Sequence, residues 1–491
     1  MKIRAFVISF LLMLIVGHPA FSQGGKIEKG SATVKRIETY LGKLEKIGFS
    51  GSVLVELNGK KAISRGYGFR NEARKLKNTP DTVFDIGSVT KQFTGAAIIK
   101  LEMEGKLSTD DKITEYFDGV PEDKAAITIH QLLRHSSGLP GVVGGDFDPI
   151  SQSEFLEKLW KTPLQFENGT RFSYSNVGYS LLSMIIEKVS GETYEQYLYQ
   201  HLWKPAGMEM TGYSRPKFDK GLIAVGYEGD REWGRPDEKP WDGNAPFWHL
   251  KGNGGILSTA EDLYRWDQAL LSDKLLSREA KEKYYHPKLR PDEDPNPYYA
   301  YGWDMLRTDR NTLRAWHNGT NRVFYADFYR YLDEGIVIIT LSNKAHPNFS
   351  DAGREISRMI FEPDYQPPIP VADNSANRAF TDEMIGIVGE KGLAAGIKAY
   401  KERKRGVDLL ERTVNSKAYD LFGEKKLQGA IDLFELNVFA FPRSANAYDS
   451  LGEAYLEAGN RELAIKNYRK SLELNPENRN AEEMLERLKN K

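Results

Sequence analysis

The chain has 491 residues, too many for one compact hydrophobic core, so its length predicts two or three domains. Its composition, 40% hydrophobic and 28% charged, is that of an ordinary globular protein, and the formal net charge of −1 gives no electrostatic case for a nucleic-acid partner. The absence of cysteine excludes disulfides, thiolate nucleophiles, cysteine-based zinc or iron–sulfur sites and a lipidated N-terminal cysteine.

The N-terminus has the pattern of a cleaved signal peptide. Two basic residues among the first four precede an apolar run over residues 5–16, and the small residues Ala20 and Ser22 suit the two cleavage subsites. The alternative is a membrane anchor, but the run is shorter than the ~20 residues that span a bilayer. We therefore predict a signal peptide over residues 1–22, an exported protein that is periplasmic or secreted, and no integral membrane segment after cleavage.

Strand patterns occur in two groups that lie far apart in the chain. After Gly51, hydrophobic alternation on both sides of Asn58-Gly59 is a strong signal of a hairpin. Residues 314–343 have the pattern of three more strands. Between the groups the pattern is mostly helical, with helices predicted at 156–160, 179–189 and 260–271.

These patterns predict an α+β fold. The economical arrangement pairs both strand groups in one antiparallel sheet, packs helices on that sheet and inserts a largely helical region between the groups. We predict this domain over residues 31–361, with a last helix at about residues 351–361.

The character of the sequence changes after residue 361. Residues 362–380 include a stretch rich in proline and small polar residues, which predicts a linker. Beyond it the pattern is helical throughout, and a shift of 34 residues superposes Ala430 on Ala464. This spacing of small and aromatic residues resembles the tetratricopeptide repeat family, so we predict an all-α helical-repeat domain over residues 381–491. Such units cannot bury their faces singly, so the tail is expected to pack on the first domain or on a protein partner.

The segment FDIGSVTKQFT carries a candidate nucleophile. Ser88 opens a mostly apolar helical segment, and Lys91 follows three residues later, on the same helix face. A helix with so many apolar residues is expected to be buried. A buried lysine can lose its proton and act as a base toward the Ser88 hydroxyl. The alternative is that Ser88 only caps the helix while Lys91 is solvated. The spacing alone is weak, because Ser214 and Lys217 repeat it around Pro216, which disfavours a helix.

Two further motifs follow Ser88 in the chain. There is one Tyr-x-Asn, at Tyr174 and Asn176, and one His-x-Gly, at His317 and Gly319 near the end of a predicted strand. The order Ser-x-x-Lys, Tyr-x-Asn, (Lys/His)-x-Gly resembles the serine β-lactamase and penicillin-recognising superfamily. The resemblance is to its branch of class C β-lactamases, D-alanyl-D-alanine carboxypeptidases and esterases. The stretches ITIHQLLRHSSGLPG and GNGGILSTAEDLYRW are also similar to that branch.

The resemblance implies three catalytic residues. Ser88 would attack an acyl carbonyl to form an acyl-enzyme, which water then hydrolyses. Lys91 and Tyr174 would form the pair that moves protons. A tyrosine is useful there only if neighbouring positive charge lowers its pKa from ~10, and we expect Lys91 and His317 to supply that charge.

The resemblance also implies a set of substrate-binding groups. Asn176 would bind the substrate amide or hold the catalytic lysine, and His317 would belong to the same site. Gly319 would leave room for substrate along the strand edge. The backbone N–H groups of Ser88 and Thr320 would form the oxyanion hole, in which one donor is worth ~10²–10³ in rate.

The third motif departs from the Lys-Thr-Gly expected of class C β-lactamases. His-x-Gly resembles instead some D-alanyl-D-alanine carboxypeptidases and D-amino-acid-directed peptidases. A lysine would hold a substrate carboxylate, whereas a histidine, with a free pKa of ~6.5, is mostly neutral at pH 7. The sequence therefore favours a serine hydrolase acting on a D-Ala-type peptide, an ester or a related amide.

Three alternatives stay open from the sequence. The chain could be a true β-lactamase that hydrolyses β-lactam antibiotics. It could be a sensor whose serine is acylated without turnover and which signals through the helical tail. It could also be a scaffold in which the tail matters and the pocket is vestigial.

No metal and no cofactor are predicted. His130 and His135 are five residues apart, which suits neither of the helical spacings of a metal pair, so we expect them to have structural roles. No glycine-rich phosphate loop stands out. The expected partners are a small-molecule or peptide substrate and a protein partner for the tail, with no nucleic acid.

Overall fold

The fold comes from a computed structural model, which describes residues 31–489 except 215–216, 218, 230, 242–244, 291, 295, 346–348, 404 and 477. The predicted signal peptide, residues 1–22, lies outside the described residues. Within the described ranges, no helix is both long enough and apolar enough to cross a membrane.

The strands of the described residues form one large sheet and several small ones. In chain order they are β1 (Gly51–Leu57), β2 (Lys60–Tyr67), β3 (Phe69–Asn71), β4 (Leu76–Lys77), β5 (Phe84–Asp85), β6 (Gly226–Glu228), β7 (Arg231–Gly234), β8 (Leu257–Ser258), β9 (Tyr298–Tyr299), β10 (Asp304–Arg307), β11 (Leu313–Asn321), β12 (Phe324–Tyr331), β13 (Ile336–Ser342) and β14 (Lys344–Ala345).

The helices fall into two groups along the chain. Those that accompany the sheet are α1 (Ser31–Lys46), α2 (Thr90–Met103), α3 (Ile129–Leu133), α4 (Gln152–Lys161), α5 (Asn176–Ser190), α6 (Tyr194–Leu198), α7 (Lys204–Ala206), α8 (Ala260–Leu271), α9 (Arg278–Tyr285) and α10 (Ala352–Phe361). Those of the tail are α11 (Ser375–Lys391), α12 (Leu393–Lys401), α13 (Glu411–Gly423), α14 (Leu427–Ala440), α15 (Ala445–Glu457), α16 (Arg461–Leu474) and α17 (Arg479–Lys489). The helices predicted at 156–160, 179–189, 260–271 and 351–361 are confirmed as parts of α4, α5, α8 and α10.

The large sheet has the strand order β2-β1-β13-β12-β11-β10-β9, and its neighbouring strands are antiparallel. Strand β1 pairs with β13, and Gly51 lies opposite Ser342. This confirms that the two distant strand groups form one sheet. Asn58 and Gly59 between β1 and β2 have φ values of 52° and 73°, because a two-residue hairpin turn that follows the strand twist needs positive φ at both positions.

Helices cover both faces of the sheet, so β1 is buried along its whole length. Val53 on one face shares a core with Ile37 of α1 and Ile356 of α10. Leu54 on the other face shares the larger core with Phe93 of α2. Because a core lies on each face, residues on both faces of β1 are apolar at its centre, from Val53 to Val55.

Helix α2 passes through the larger core, and its residues from Thr90 to Ile99 are all buried. The ring of Phe93 packs against the rings of Trp203 and Trp266, with centroids 5.6 and 5.0 Å away. Removing such a ring from a core costs about 3–5 kcal/mol, so the packing holds α2 firmly in place. The expectation of a buried helix after Ser88 is confirmed.

The tail is entirely helical, and its helices pack as the repeat pattern predicts. A Cβ on Gly452 of α15 would lie 3.1 Å from the Tyr468 ring of α16, so the small residue lets these helices approach closely. Helix α11 begins at Ser375, inside the stretch predicted as a linker. A Cβ on Gly229, in the turn between β6 and β7, would lie 2.3 Å from the Arg378 guanidinium of α11. The tail therefore contacts the first domain.

Candidate active site

Ser88 lies on a short 3-10 turn, Gly87–Val89, between β5 and α2. Gly87 has a φ of 49°, which favours glycine and lets the chain turn sharply from the strand into the helix. The N-cap of α2 is Val89, and no side chain makes a cap hydrogen bond there. The capping alternative for Ser88 is therefore wrong, and its half-buried hydroxyl is left for other partners.

Lys91 is fully buried and reaches Ser88 from the first turn of α2. Its Nζ lies 3.1 Å from Ser88 Oγ, 2.8 Å from Asn176 Oδ1 and 2.8 Å from the backbone oxygen of Asn253. Burial holds the pKa of this amine well below its usual 10.5, although the charge of Asp146 opposes that shift. A neutral amine has two N–H groups and one lone pair. Since the two amide oxygens can only accept, the lone pair faces the Ser88 hydroxyl.

Tyr174 also contacts the Ser88 hydroxyl. Its hydroxyl hydrogen-bonds the Ser88 side chain, and its ring lies 4.7 Å from Lys91 Nζ. Tyr174 as a whole is 37% exposed, but its hydroxyl is buried. This burial raises the pKa of Tyr174, the charge of Asp304 raises it further, and the bond to Ser88 opposes both. The expectation that neighbouring positive charge lowers this pKa is wrong, because burial of the hydroxyl raises it and the neighbouring charge that acts on it, Asp304, is negative. The raised pKa keeps the Tyr174 hydroxyl protonated, and the lowered pKa of Lys91 makes its amine the candidate base of the pair.

Asn176 begins helix α5, where Ser175 is the N-cap and its Oγ accepts the backbone N–H of Gly178. This cap fixes the backbone beside the Asn176 side chain. Of the two roles predicted for Asn176, the structure shows the one in which its amide oxygen accepts from Lys91.

His317 lies in β11 and is buried, only 2% exposed. Its Nε2 is 2.9 Å from the Tyr299 hydroxyl, and its Nδ1 is 2.5 Å from the backbone oxygen of Asn318. Because that oxygen only accepts, Nδ1 carries the proton of the neutral ring and Nε2 accepts from Tyr299. Burial, aided by the charge that Lys91 carries when it is protonated, lowers the pKa of His317 to about 3. The ring therefore supplies no positive charge to Tyr174 or to a substrate.

The neutrality of His317 predicts a specific pH behaviour. Replacing it by glutamine (His317→Gln) is expected to leave the shape of the pH profile of kcat/KM unchanged between pH 5 and 8, because a ring with a pKa of about 3 does not titrate there. The rate itself should fall at most about tenfold, since about one neutral hydrogen bond is altered. Proton NMR of the wild-type ring should show a flat chemical shift over the same range. An acidic limb that disappears in the variant would contradict this assignment.

Strand β11 lies directly against the Ser88 turn. A Cβ on Gly319 would be 2.0 Å from the Ile86 oxygen and 2.8 Å from the Ser88 nitrogen, while a Cβ on Gly87 would be 2.6 Å from the Thr320 nitrogen. The protein's own turn thus requires the lack of a side chain at Gly319, and the role predicted for Gly319 toward substrate stays a prediction. The Ser88 and Thr320 nitrogens therefore both lie at this contact between strand and turn, and the two remain the candidate donors of an oxyanion hole.

The edge of β11 continues past its partner strand. Its pairing with β10 ends at Trp316, opposite Asp304, and residues 317–321 run on beside the Ser88 turn. An extended substrate can add to such an edge through main-chain hydrogen bonds. The site therefore combines a candidate nucleophile, a candidate base, a candidate proton donor, two candidate oxyanion donors and a strand edge.

Two residues of the site, Asn253 and His135, do not belong to any of the three motifs. The backbone oxygen of Asn253 accepts from Lys91, and Asn253 lies in the stretch GNGGILSTAEDLYRW that resembles the superfamily. His135, predicted to be structural, stacks on Tyr174 with ring centroids 4.2 Å apart, and its Nδ1 accepts the backbone N–H of Ser175. Only the resemblance of the surrounding sequence to the superfamily pointed to these two residues. A backbone acceptor or a contact between rings does not require a fixed residue type at a fixed spacing, so no motif identifies it.

The remaining candidates lie away from this site. His130 contacts the Tyr301 hydroxyl through Nδ1 at 2.7 Å. Ser214, the second Ser-x-x-Lys serine, donates to Glu195 Oε2 at 3.0 Å and does not lie on a helix. The structure thus distinguishes the two matches of the same pattern.

Comparison with known proteins agrees with the fold. The family model described as Beta-lactamase matches residues 40–360, and a tetratricopeptide repeat model matches residues 445–478. The chain is 34% identical over 262 residues to PbpX of Bacillus subtilis (strain 168), covering 53% of this chain and 65% of that protein. It thus spans slightly less than two thirds of that relative.

Two further similarities cover more of both proteins. A penicillin-binding protein of Bacillus subtilis (strain 168) is 29% identical over 381 residues, covering 73% of this chain and 84% of that protein. Among solved structures, the octameric penicillin-binding protein homologue from Pyrococcus abyssi superposes with a TM-score of 0.57 at 26% identity. That match covers 72% of this chain and 82% of the other.

Proposed function

The chain belongs to the β-lactamase family, and on that premise we propose that it is a serine hydrolase working through an acyl-enzyme at Ser88. One observation carries the proposal: the buried amine of Lys91 lies 3.1 Å from Ser88 Oγ, with its other two contacts occupied by acceptors. A neutral amine held in this way presents its lone pair to the serine hydroxyl. A weak alcohol nucleophile needs an adjacent base of this kind.

Acylation follows from the positions of three groups. The Lys91 lone pair takes the hydroxyl proton as Ser88 Oγ bonds to the substrate carbonyl carbon, and the N–H groups of Ser88 and Thr320 stabilise the oxyanion. As the tetrahedral intermediate collapses, the Tyr174 hydroxyl gives its proton to the leaving amine or alcohol. Lys91 then returns its extra proton to Tyr174, whose ring lies 4.7 Å from Nζ. The net proton transfer is from Ser88 to the leaving group.

Deacylation uses the same base in the second half-reaction. Lys91, neutral again, takes a proton from water as the water oxygen attacks the ester carbonyl. The same two N–H groups receive the oxyanion, and Lys91 returns the proton to Ser88 Oγ as the acid leaves. The high pKa of Tyr174 keeps its proton in place between turnovers.

The substrate class we propose is a D-Ala-type peptide, an ester or a related amide. The support is the neutral His317, buried with a pKa of about 3 where a lysine would offer a fixed positive charge to a substrate carboxylate. A β-lactam is the second candidate substrate. Two of the similar proteins are named for penicillin binding, and the carbonyl of a strained lactam fits the same acylation geometry.

A turnover panel tests this proposal. It compares a short-chain aryl ester, a D-Ala-D-Ala peptide and a chromogenic cephalosporin, with the Ser88→Ala variant as the blank for each. We expect Ser88-dependent multiple turnover of the ester or the peptide, with kcat/KM above that for the cephalosporin. Efficient cephalosporin turnover alone would support the β-lactamase alternative. Stoichiometric acylation without release would support the sensor, and no Ser88-dependent reaction with any of the three would overturn the hydrolase proposal.

We also propose that the protein is exported and that the tail binds a protein partner. The support for export is the signal-like pattern of residues 1–22, and the support for a partner is the tetratricopeptide repeat match at residues 445–478. Cell fractionation followed by N-terminal sequencing tests export. A cytoplasmic protein with its N-terminal segment intact would contradict it.

A further inference from the structure

A buried carboxylate lies beside the Ser88 turn without contacting the nucleophile. Asp85, at the end of β5, is 2% exposed, and Asn321, the last residue of β11, is 3% exposed. Asp85 Oδ1 accepts the backbone N–H of Gly87 at 2.8 Å, and its Oδ2 accepts from Asn321 Nδ2 at 2.6 Å. One carboxylate thus holds two segments that are 236 residues apart in the chain.

Both of these partners are neutral donors, so the arrangement is a costly way to stabilise a fold. Burial raises the pKa of Asp85 to about 7, even though the two hydrogen bonds lower it. Among the described residues no cation pairs with Asp85, and a buried carboxylate of this kind carries a desolvation penalty that an apolar side chain would avoid. Other hydrogen bonds also hold strand β5 in place. One of them runs from the backbone N–H of Ile86, the residue after the strand, to the oxygen of Ile256 at 3.0 Å. Attachment of the strand alone therefore does not account for the carboxylate.

The position of the two donors suggests what the carboxylate does. Gly87 immediately precedes Ser88, and Asn321 immediately follows Thr320, so each donor is next in sequence to one candidate oxyanion N–H. The turn and the strand are in close contact at Gly87 and Gly319, where no Cβ fits. Asp85 bridges this contact from its buried side. A small shift between the turn and the strand would change the spacing of the two N–H groups, to which oxyanion stabilisation is sensitive.

We propose that Asp85 is a positioning residue that, through Gly87 and Asn321, holds the Ser88 and Thr320 N–H groups at the spacing an oxyanion requires. The inference rests on the proposed acyl-enzyme function. It adds to that function a residue pair which touches neither substrate nor nucleophile and which none of the three motifs contains.

Three variants separate positioning from folding. Asp85→Ala removes both bonds, and Asn321→Leu removes only the bond that links the turn to the strand. Asp85→Asn is the conservative variant: its amide oxygen can accept from Gly87, and its NH2 can donate to Asn321. That last bond needs the Asn321 amide turned over to present Oδ1, a buried oxygen without a hydrogen-bond partner in the described part of the chain.

A matched control is available at another buried carboxylate. Asp262 is fully buried and accepts the backbone N–H of Met210 and the Thr211 hydroxyl at 2.6 and 2.8 Å. Unlike Asp85 it also pairs with a cation, the Arg265 guanidinium at 2.6 Å. Asp262→Ala should lower the thermal midpoint as a lost buried hydrogen-bond network does, but it should leave kcat within about threefold.

The experiment measures kcat, KM and thermal midpoint for each variant on the best substrate, with the inhibition constant of a boronic acid that adds to Ser88. We expect kcat to fall about 10²-fold in Asp85→Ala and Asn321→Leu, with KM nearly unchanged. Boronate binding should weaken in proportion, because its tetrahedral adduct places an oxygen in the oxyanion hole. Asp85→Asn should recover kcat to within about tenfold of the wild type.

The outcomes separate this inference from the function on which it rests. Unchanged kcat and boronate binding in Asp85→Ala or Asn321→Leu, with Ser88-dependent turnover intact, would overturn the positioning role alone. So would a fall in kcat that Asp85→Asn does not recover. A wild type without Ser88-dependent turnover would overturn both. If Asp85→Ala fails to fold, the Asn321→Leu variant decides whether Asp85 has the positioning role, because in that variant Asp85 keeps its hydrogen bond to Gly87.

Discussion

Replacing Ser88 by alanine is expected to lower kcat by about 10⁴- to 10⁶-fold on any substrate that the wild type turns over. The variant keeps both backbone N–H groups and the strand edge of residues 317–321, so the remaining rate would come from binding and oxyanion stabilisation. Without Oγ no acyl-enzyme can form, and the neutral Lys91 could only activate a water. The measurement is kcat by continuous assay at enzyme concentrations high enough to detect the residual rate.

The chain supplies its own control for this substitution. Ser214 has the same spacing to a lysine, yet its hydroxyl donates to Glu195 away from the site. Ser214→Ala is therefore expected to keep kcat within about threefold of the wild type, because a serine away from the chemistry contributes only to local stability. Comparable losses in both variants would mean that Ser88 acts through the fold rather than through chemistry.

Replacing Lys91 by methionine is expected to lower kcat by about 10³- to 10⁴-fold, since a positioned general base contributes an effect of that order. Methionine has a similar length and no charge, so it fills the buried space without the amine. It leaves Asn176 Oδ1 and the Asn253 oxygen without their donor, yet it also removes the cost of burying an amine. Lys100→Met, on the same helix, is the matched control and should keep kcat, because its amine lies 3.8 Å from Glu104, away from Ser88.

The wild type and Lys91→Met also differ in how their stability should depend on pH, and the pKa of Lys91 fixes the direction of that difference. Burial lowers that pKa in the folded state well below the 10.5 of the unfolded chain. Between the two values the unfolded state binds one more proton, so the free energy of unfolding of the wild type rises with pH in that window. Lys91→Met lacks this contribution. We therefore expect the wild type to gain stability relative to the variant as pH increases from 7 toward 10, measured by denaturant unfolding. A constant or shrinking difference would show that Lys91 is charged in the folded protein.

Much of the fold was readable from the sequence because strong local signals coincide with long elements. The Asn58-Gly59 turn and the alternation around it predicted the first hairpin, and the pattern of residues 314–343 predicted β11, β12 and β13. The strands β3 to β10 and β14 were not predicted. Each of them has two to four residues, which is too short for any periodicity to show. Their positions follow from long-range contacts, such as the pairing of Phe84 with Ser258.

The candidate site was predicted in part, and the limits have physical causes. The ordered motifs identified Ser88, Lys91, Tyr174, Asn176, His317, Gly319 and Thr320, and the structure brings these residues together. The direction of the Tyr174 pKa shift was wrong, because burial of a hydroxyl depends on the surrounding packing rather than on neighbours in sequence. Asn253 contributes only its backbone oxygen, and Asp85 acts only through Gly87 and Asn321. Neither contribution depends on a residue spacing that a motif could record.

Covalent labelling of Ser88 is the most direct test of its proposed role as the nucleophile. The protein would be treated with a fluorophosphonate, which forms a serine adduct that water does not release, and then measured by intact-protein and peptide mass spectrometry. We expect a single adduct on the peptide that contains Ser88, present in the Ser214→Ala variant, absent in Ser88→Ala and much slower to form in Lys91→Met. Equal labelling of Ser88→Ala, or an adduct mapped to another residue, would rule out Ser88 as the nucleophile.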